Sequence, residues 1–161
     1  MKKYKTTIFA AIIVMASCSL RNGTTYYHAS YIQPSEFEIE MGLQKPRGMK
    51  VEPTASYQND SAAVKSERDK VTKMIQLVES REKAAQVTKY STMRDSIRLT
   101  NESKAHRQIL SERHTIIALD DAGTEDANAL FHKIELFGFD SKEVDDFISK
   151  RQLTVRFYHL N

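Results

Sequence analysis

Tryptophan is absent from the chain, cysteine occurs once, and only three prolines and five glycines are spread over 161 residues. A single cysteine excludes an intrachain disulfide and every CxxC-type metal or redox motif. Without tryptophan, and with little glycine to shape loops, an aromatic carbohydrate cleft is disfavoured. Long apolar runs are missing too. The longest, from Ile8 to Ala16, is about half of the roughly 20 residues that a membrane-spanning helix needs. Catalytic signatures are equally scarce. His28, His106, His114, His132 and His159 make no HxxxH or HExxH spacing, and no P-loop, GxGxxG or GxSxG pattern occurs. His114, His132 and His159 are the three that folding would have to gather for a metal site. The acidic string DDAGTED, residues 120–126, fails the cation-loop pattern because Gly123 is misplaced and Phe131 stands where the final glutamate belongs. It reads instead as acid gathered at a helix N-terminus. The expectation is a protein that is not an enzyme, with no catalytic residue, no metal and no cofactor.

What is present begins with the string IIVMASCSL, residues 12–20. Lys2, Lys3 and Lys5 precede the apolar run with no acid among them, which is the charged and then hydrophobic layout of an export signal. Met15-Ala16-Ser17-Cys18 resembles the lipobox of bacterial lipoproteins, an aliphatic residue and two small ones before an invariant cysteine. Met15 stands where leucine is commonest. The resemblance covers residues 1–18 and implies cleavage before Cys18, lipid on its sulfur and acylation of the new amino terminus. It further implies a location in the cell envelope. Ser19, in place of the aspartate that marks inner-membrane retention, points to the outer membrane with the domain facing the periplasm. Several acyl chains make an anchor stable where one is marginal.

Charge supports the same picture. The chain carries 24 basic and 21 acidic residues. Removing the three signal lysines brings the two to parity, which argues against nucleic acid and against a polybasic membrane patch.

The pattern behind the signal predicts a helix-rich α+β fold. Residues 1–17 read as signal peptide and 18–34 as a lipidated tether, with Tyr26, Tyr27 and Tyr31 in it. Residues 35–161 read as a single domain. In SEFEIEMGL, Phe37, Ile39 and Met41 alternate with glutamates, predicting one arm of a β-hairpin whose other arm is MKVEP. From Asn59 to Arg113 there is neither glycine nor proline, which predicts a long polar helix over about 59–113. A break near Tyr90-Ser91-Thr92 or Thr100-Asn101 would make it a helical hairpin instead. On this segment Val71, Met74, Ile75 and Val78 form an apolar patch, the expected contact with another subunit or a second copy of the chain.

Residues 114–161 predict a compact β-α-α-β unit. Its expected core is Ile116, Ile117, Leu119, Leu130, Ile134, Phe137, Phe147, Val155 and Phe157. In design the chain is similar to small lipoproteins of envelope secretion machines, including the TssQ-like kind of type VI secretion systems. That similarity implies an adaptor or structural subunit. The other reading is an envelope binding module for peptidoglycan or a small solute.

Overall fold

The computed structural model describes residues 23–87 and 92–161; the expected signal peptide and Cys18 lie outside the described residues. Strand β1 (Thr24–Ile32) leads through helix α1 (Glu36–Glu40) to β2 (Arg47–Pro53). Helices α2 (Asp60–Val87) and α3 (Met93–Ser111) follow, then β3 (Glu112–Asp120), α4 (Thr124–Phe137), α5 (Lys142–Arg151) and β4 (Thr154–His159). The strands form an antiparallel sheet in the order β2-β1-β3-β4. The helix-rich α+β class and the C-terminal β-α-α-β order agree with the sequence reading.

Helices cover both faces of the sheet. On one, Ala29, Tyr31, Ile117 and Leu119 pack against Ala127, Leu130 and Ile134 of α4 and Val144 of α5. On the other, Tyr26, Ile116 and Ala118 pack against Ala63 and Val71 of α2, with Leu160 beside them. This two-sided burial corrects the tether reading of residues 18–34. The stretch TTYYHASYI is a central strand, paired to β3 from Thr24↔Asp120 through Ile32↔Glu112. A strand covered on both faces has no polar face, so no two-residue period betrays it.

The hairpin expected from SEFEIEMGL is also corrected: residues 36–40 are helical. Ser35 and Glu38 form a capping box, with the Ser35 backbone N–H donating to Glu38 Oε2 at 2.8 Å. Gly42 ends the helix at φ +82, its N–H donating to Ile39 while that of Leu43 donates to Glu38. Those paired bonds are a Schellman stop. Complete caps at both ends outweigh an alternation whose apolar members, Phe37, Ile39 and Met41, stay exposed.

The long helix is a hairpin of two. Thr92 has extended backbone and its hydroxyl accepts from the Asp95 N–H, starting α3; Tyr90 and Ser91 lie outside the described residues. Glu82 of α2 accepts from Ser103 of α3 at 2.7 Å and pairs with His106, locking the helices together. The expected core is partly corrected as well. Ile116, Ile117, Leu119, Leu130 and Ile134 are fully buried, whereas Phe147, Val155 and Phe157 are only half-buried against that cluster. Phe137 is 36% exposed, because the turn at Gly138 sends Phe139 inward instead.

Candidate functional site

The four residues expected to meet a partner are largely used within the chain. Val71 is 4% exposed beneath the sheet, and Ile75 packs on the same cluster. Val78 is half-buried, and Met74 alone stands exposed. The apolar stripe of α2 exists to cover the second face of the sheet, a need that was invisible while β1 was read as a tether.

The direction of α2 organises the molecule. Its first residue, Asp60, accepts from Tyr26 and Arg156 near the Thr24 end of β1, Glu67 meets His28 further along, and Ile75 joins the cluster holding Leu160. Leu160 follows β4 and donates to the His114 carbonyl near the other end of the sheet. Beyond Ile75 the helix runs on for about 18 Å at 1.5 Å per residue, and α3 returns to Glu112, the partner of Ile32. The helical hairpin therefore projects from the Ile32 end, while the chain enters at Gly23 on the Thr24 end.

Exposed apolar side chains gather on that same Ile32 end. Phe37 and Met41 are 69% and 68% exposed on α1, and Leu43, Leu136 and Phe137 line one shallow groove. Leu77, Val87, Met93 and Ile97 are exposed on the projecting hairpin.

Two polar centres tie α2 to the sheet. At the Thr24 end, Arg156 donates to Asp60 at 2.6 Å and to Asp120 at 2.7 Å, with Tyr26 and Tyr158 also donating to Asp60. Arg156, with the two phenols, outweighs the upward effect of burial and lowers the Asp60 carboxyl to about 2. Burial and Asp60 push the Tyr26 phenol up to about 12. Two carboxylates sharing one guanidinium form a staple joining α2, β3 and β4.

The second centre is interior. Glu67, 3% exposed, accepts from Lys70 at 2.6 Å, from Tyr57, and from His28 Nδ1 at 3.0 Å. His28 Nε2 lies 3.0 Å from Nδ1 of the buried His114, whose Nε2 has no hydrogen-bond partner among the described residues. The chemistry assigns the protons for a neutral pair. A carboxylate only accepts, so His28 Nδ1 donates to it. His28 Nε2 then accepts from His114 Nδ1–H, and the unpartnered His114 Nε2 carries a bare lone pair. Burial raises the Glu67 carboxyl, but hydrogen bonds from Lys70, Tyr57 and His28 outweigh it and hold the group below its ordinary range. Burial, and then His28, hold the His114 imidazole below its ordinary 6.5.

The depressed His114 value has a sign. Below 6.5 the unfolded chain binds a proton that folded His114 refuses, so stability is complete above that pH and is lost as pH falls toward the folded value. The free energy of unfolding should drop by up to about 1.4 kcal/mol per pH unit there. Urea titrations at several pH values between 7.5 and 5 read this slope. In His114→Leu the slope should flatten; an unchanged slope would show that the acid sensitivity lies elsewhere.

Sequence reasoning named His114 but paired it with the wrong residues. His159 lies on the opposite sheet face, 2.8 Å from the Thr115 hydroxyl, and His132 is exposed beside Glu135. The partners His28 and Glu67 sat in the supposed tether and in the long polar helix. Among the described residues no three His, Cys, Asp or Glu side chains are placed to hold a metal, and no helix is long and apolar enough to cross a membrane. Comparison with protein families, with curated proteins and with solved structures finds no match to this chain.

Proposed function

We propose that the chain is a lipid-anchored adaptor subunit of a cell-envelope assembly of the secretion-machine kind, held in the membrane by Cys18 and engaging another subunit with the opposite end of its sheet. The supporting observation is the opposition of those ends. Between Cys18 and Thr24 lie five residues, a reach of at most about 20 Å. A lipid on Cys18 would hold the Thr24 end close to the bilayer. The sheet then sets the far end off by about 30 Å, the length of a nine-residue strand. There the projecting hairpin and the apolar side chains of Phe37, Met41 and Leu43 face away from the membrane. Exposed apolar groups gathered at one end favour a protein contact over a solvated surface.

Co-purification from membranes tests both halves with three chains: the natural one, Cys18→Ala, and Phe37→Glu combined with Met41→Glu. The natural chain is expected to carry a lipid-modified N-terminal cysteine by mass spectrometry and to bring a second subunit with it. Cys18→Ala should leave the membrane fraction. The double variant should stay there with unchanged unfolding yet lose the subunit, since these side chains support nothing inside the fold. An unmodified Cys18 in the natural chain, or a subunit retained by the double variant, would refute the corresponding half.

A further inference from the structure

The Ile32 end of the sheet also holds a cavity of about 330 Å³ between the loop after β1, the α1–β2 connection and the α4–α5 turn. Its size lies at the lower end of small-molecule sites. Its floor is aromatic: the rings of Tyr31 and Phe139, both nearly buried, lie 5.1 Å apart. Among the residues on its walls are the cationic Arg113 and the anionic Asp140. Arg113 donates through Nε to Gln33 at 3.2 Å and weakly to the Leu110 carbonyl, leaving Nη2 free among the described residues. Asp140 accepts from no described side chain or backbone group, and the two do not form an ion pair with each other.

Both charges nevertheless act at one place. Burial is the main reason that the Tyr31 phenol sits above its ordinary value, while Arg113 pulls it down and Asp140 pushes it up. The contrast with Arg156 is informative. There the guanidinium sits against two carboxylates and is fully used. Here two opposite charges line one cavity without pairing with each other, over an apolar floor.

We propose that this cavity binds a small zwitterion of dipeptide size, its carboxylate on the Arg113 guanidinium, its ammonium on the Asp140 carboxylate and its apolar part over Phe139. A guanidinium with free N–H groups suits a carboxylate, and charge-assisted bonds of this kind are about twice as strong as neutral ones. The proposal does not rest on the adaptor reading, since the cavity is built by the chain alone.

Alanyl-alanine is the probe. Titrated into the full chain and followed by NMR at the Arg113 Nε–H and the Tyr31 and Phe139 rings, it should give saturable shifts. N-acetylation or C-amidation of the dipeptide should each weaken binding by about tenfold, the worth of one charge-assisted bond. Arg113→Gln should abolish the preference for a free carboxylate, and Asp140→Asn the preference for a free amine. Asp140 is exposed, and the half-buried Arg113 makes only exposed hydrogen bonds, so thermal unfolding of these variants should match the natural chain. No saturable shift up to about 50 mM, beyond which binding energy is negligible, would overturn the proposal. So would equal binding of the blocked and free dipeptides, a result that needs no variant.

Discussion

Gly138→Ala is expected to lower the free energy of unfolding by about 2–6 kcal/mol, combining about 1–3 for a strained backbone with about 1–3 for a forced overlap. Gly138 follows the last residue of α4 at φ +95, where an L side chain rarely sits. A Cβ there would lie 2.5 Å from the Gln44 carbonyl oxygen and 3.2 Å from its carbon. Those atoms are backbone, so no rotamer change relieves the contact, and the α1–β2 connection would have to move. Equilibrium urea denaturation measures the loss. Gly23→Ala is the control: nothing stands within 4 Å of its would-be Cβ, and the change should stay within about 0.5 kcal/mol. Equal stability of the two variants would mean that Gln44 does not seat on Gly138.

Ile117→Ala and Ile116→Ala should each cost about 2–5 kcal/mol, against a total of about 5–15 for a domain. The residues are neighbours in β3 but serve different layers. Both are fully buried, Ile117 beneath α4 and α5 and Ile116 beneath α2. Denaturant midpoints of the two variants therefore test the double cover of the sheet. A half-open sheet would make one substitution expensive and the other nearly silent. Ile97→Ala, at a side chain 53% exposed, should change stability by less than about 0.5 kcal/mol.

The C-terminal half was legible because its signals are local. Glu125 and Asp126 mark a helix start, Gly138 marks a stop, and the apolar run Ile116–Leu119 marks a buried strand. The N-terminal half was misread because its decisive signals are not. Tyr26 to Ile32 shows no alternation, since both faces of β1 are packed, and only the pairing to β3 reveals why aromatic and polar residues follow one another there. The α2 stripe of Val71 and Ile75 looked surplus for the same reason, its target being the misread strand. The capping box at Ser35 and Glu38 was in plain view, but an alternating pattern was given more weight than the caps. Arg113 and Asp140 are 27 positions apart on different elements, and no spacing rule joins them.

The position of β1 in the middle of the sheet has a consequence for how the chain reaches its native state. Thr24, near the beginning of the fold, pairs with Asp120, and the hydroxyl of one donates to the carboxylate of the other at 2.6 Å. Until synthesis has passed residue 120, β1 and β2 are a two-stranded ribbon without a third strand, which is marginal in water at best. Closing a loop of such length precedes most of the favourable contacts, so high contact order makes folding slow and late. Should the chain be exported as proposed, that delay would be useful. The nascent segment would have nothing stable to fold into before it was handed over, and the sheet could close only once the whole of it had crossed.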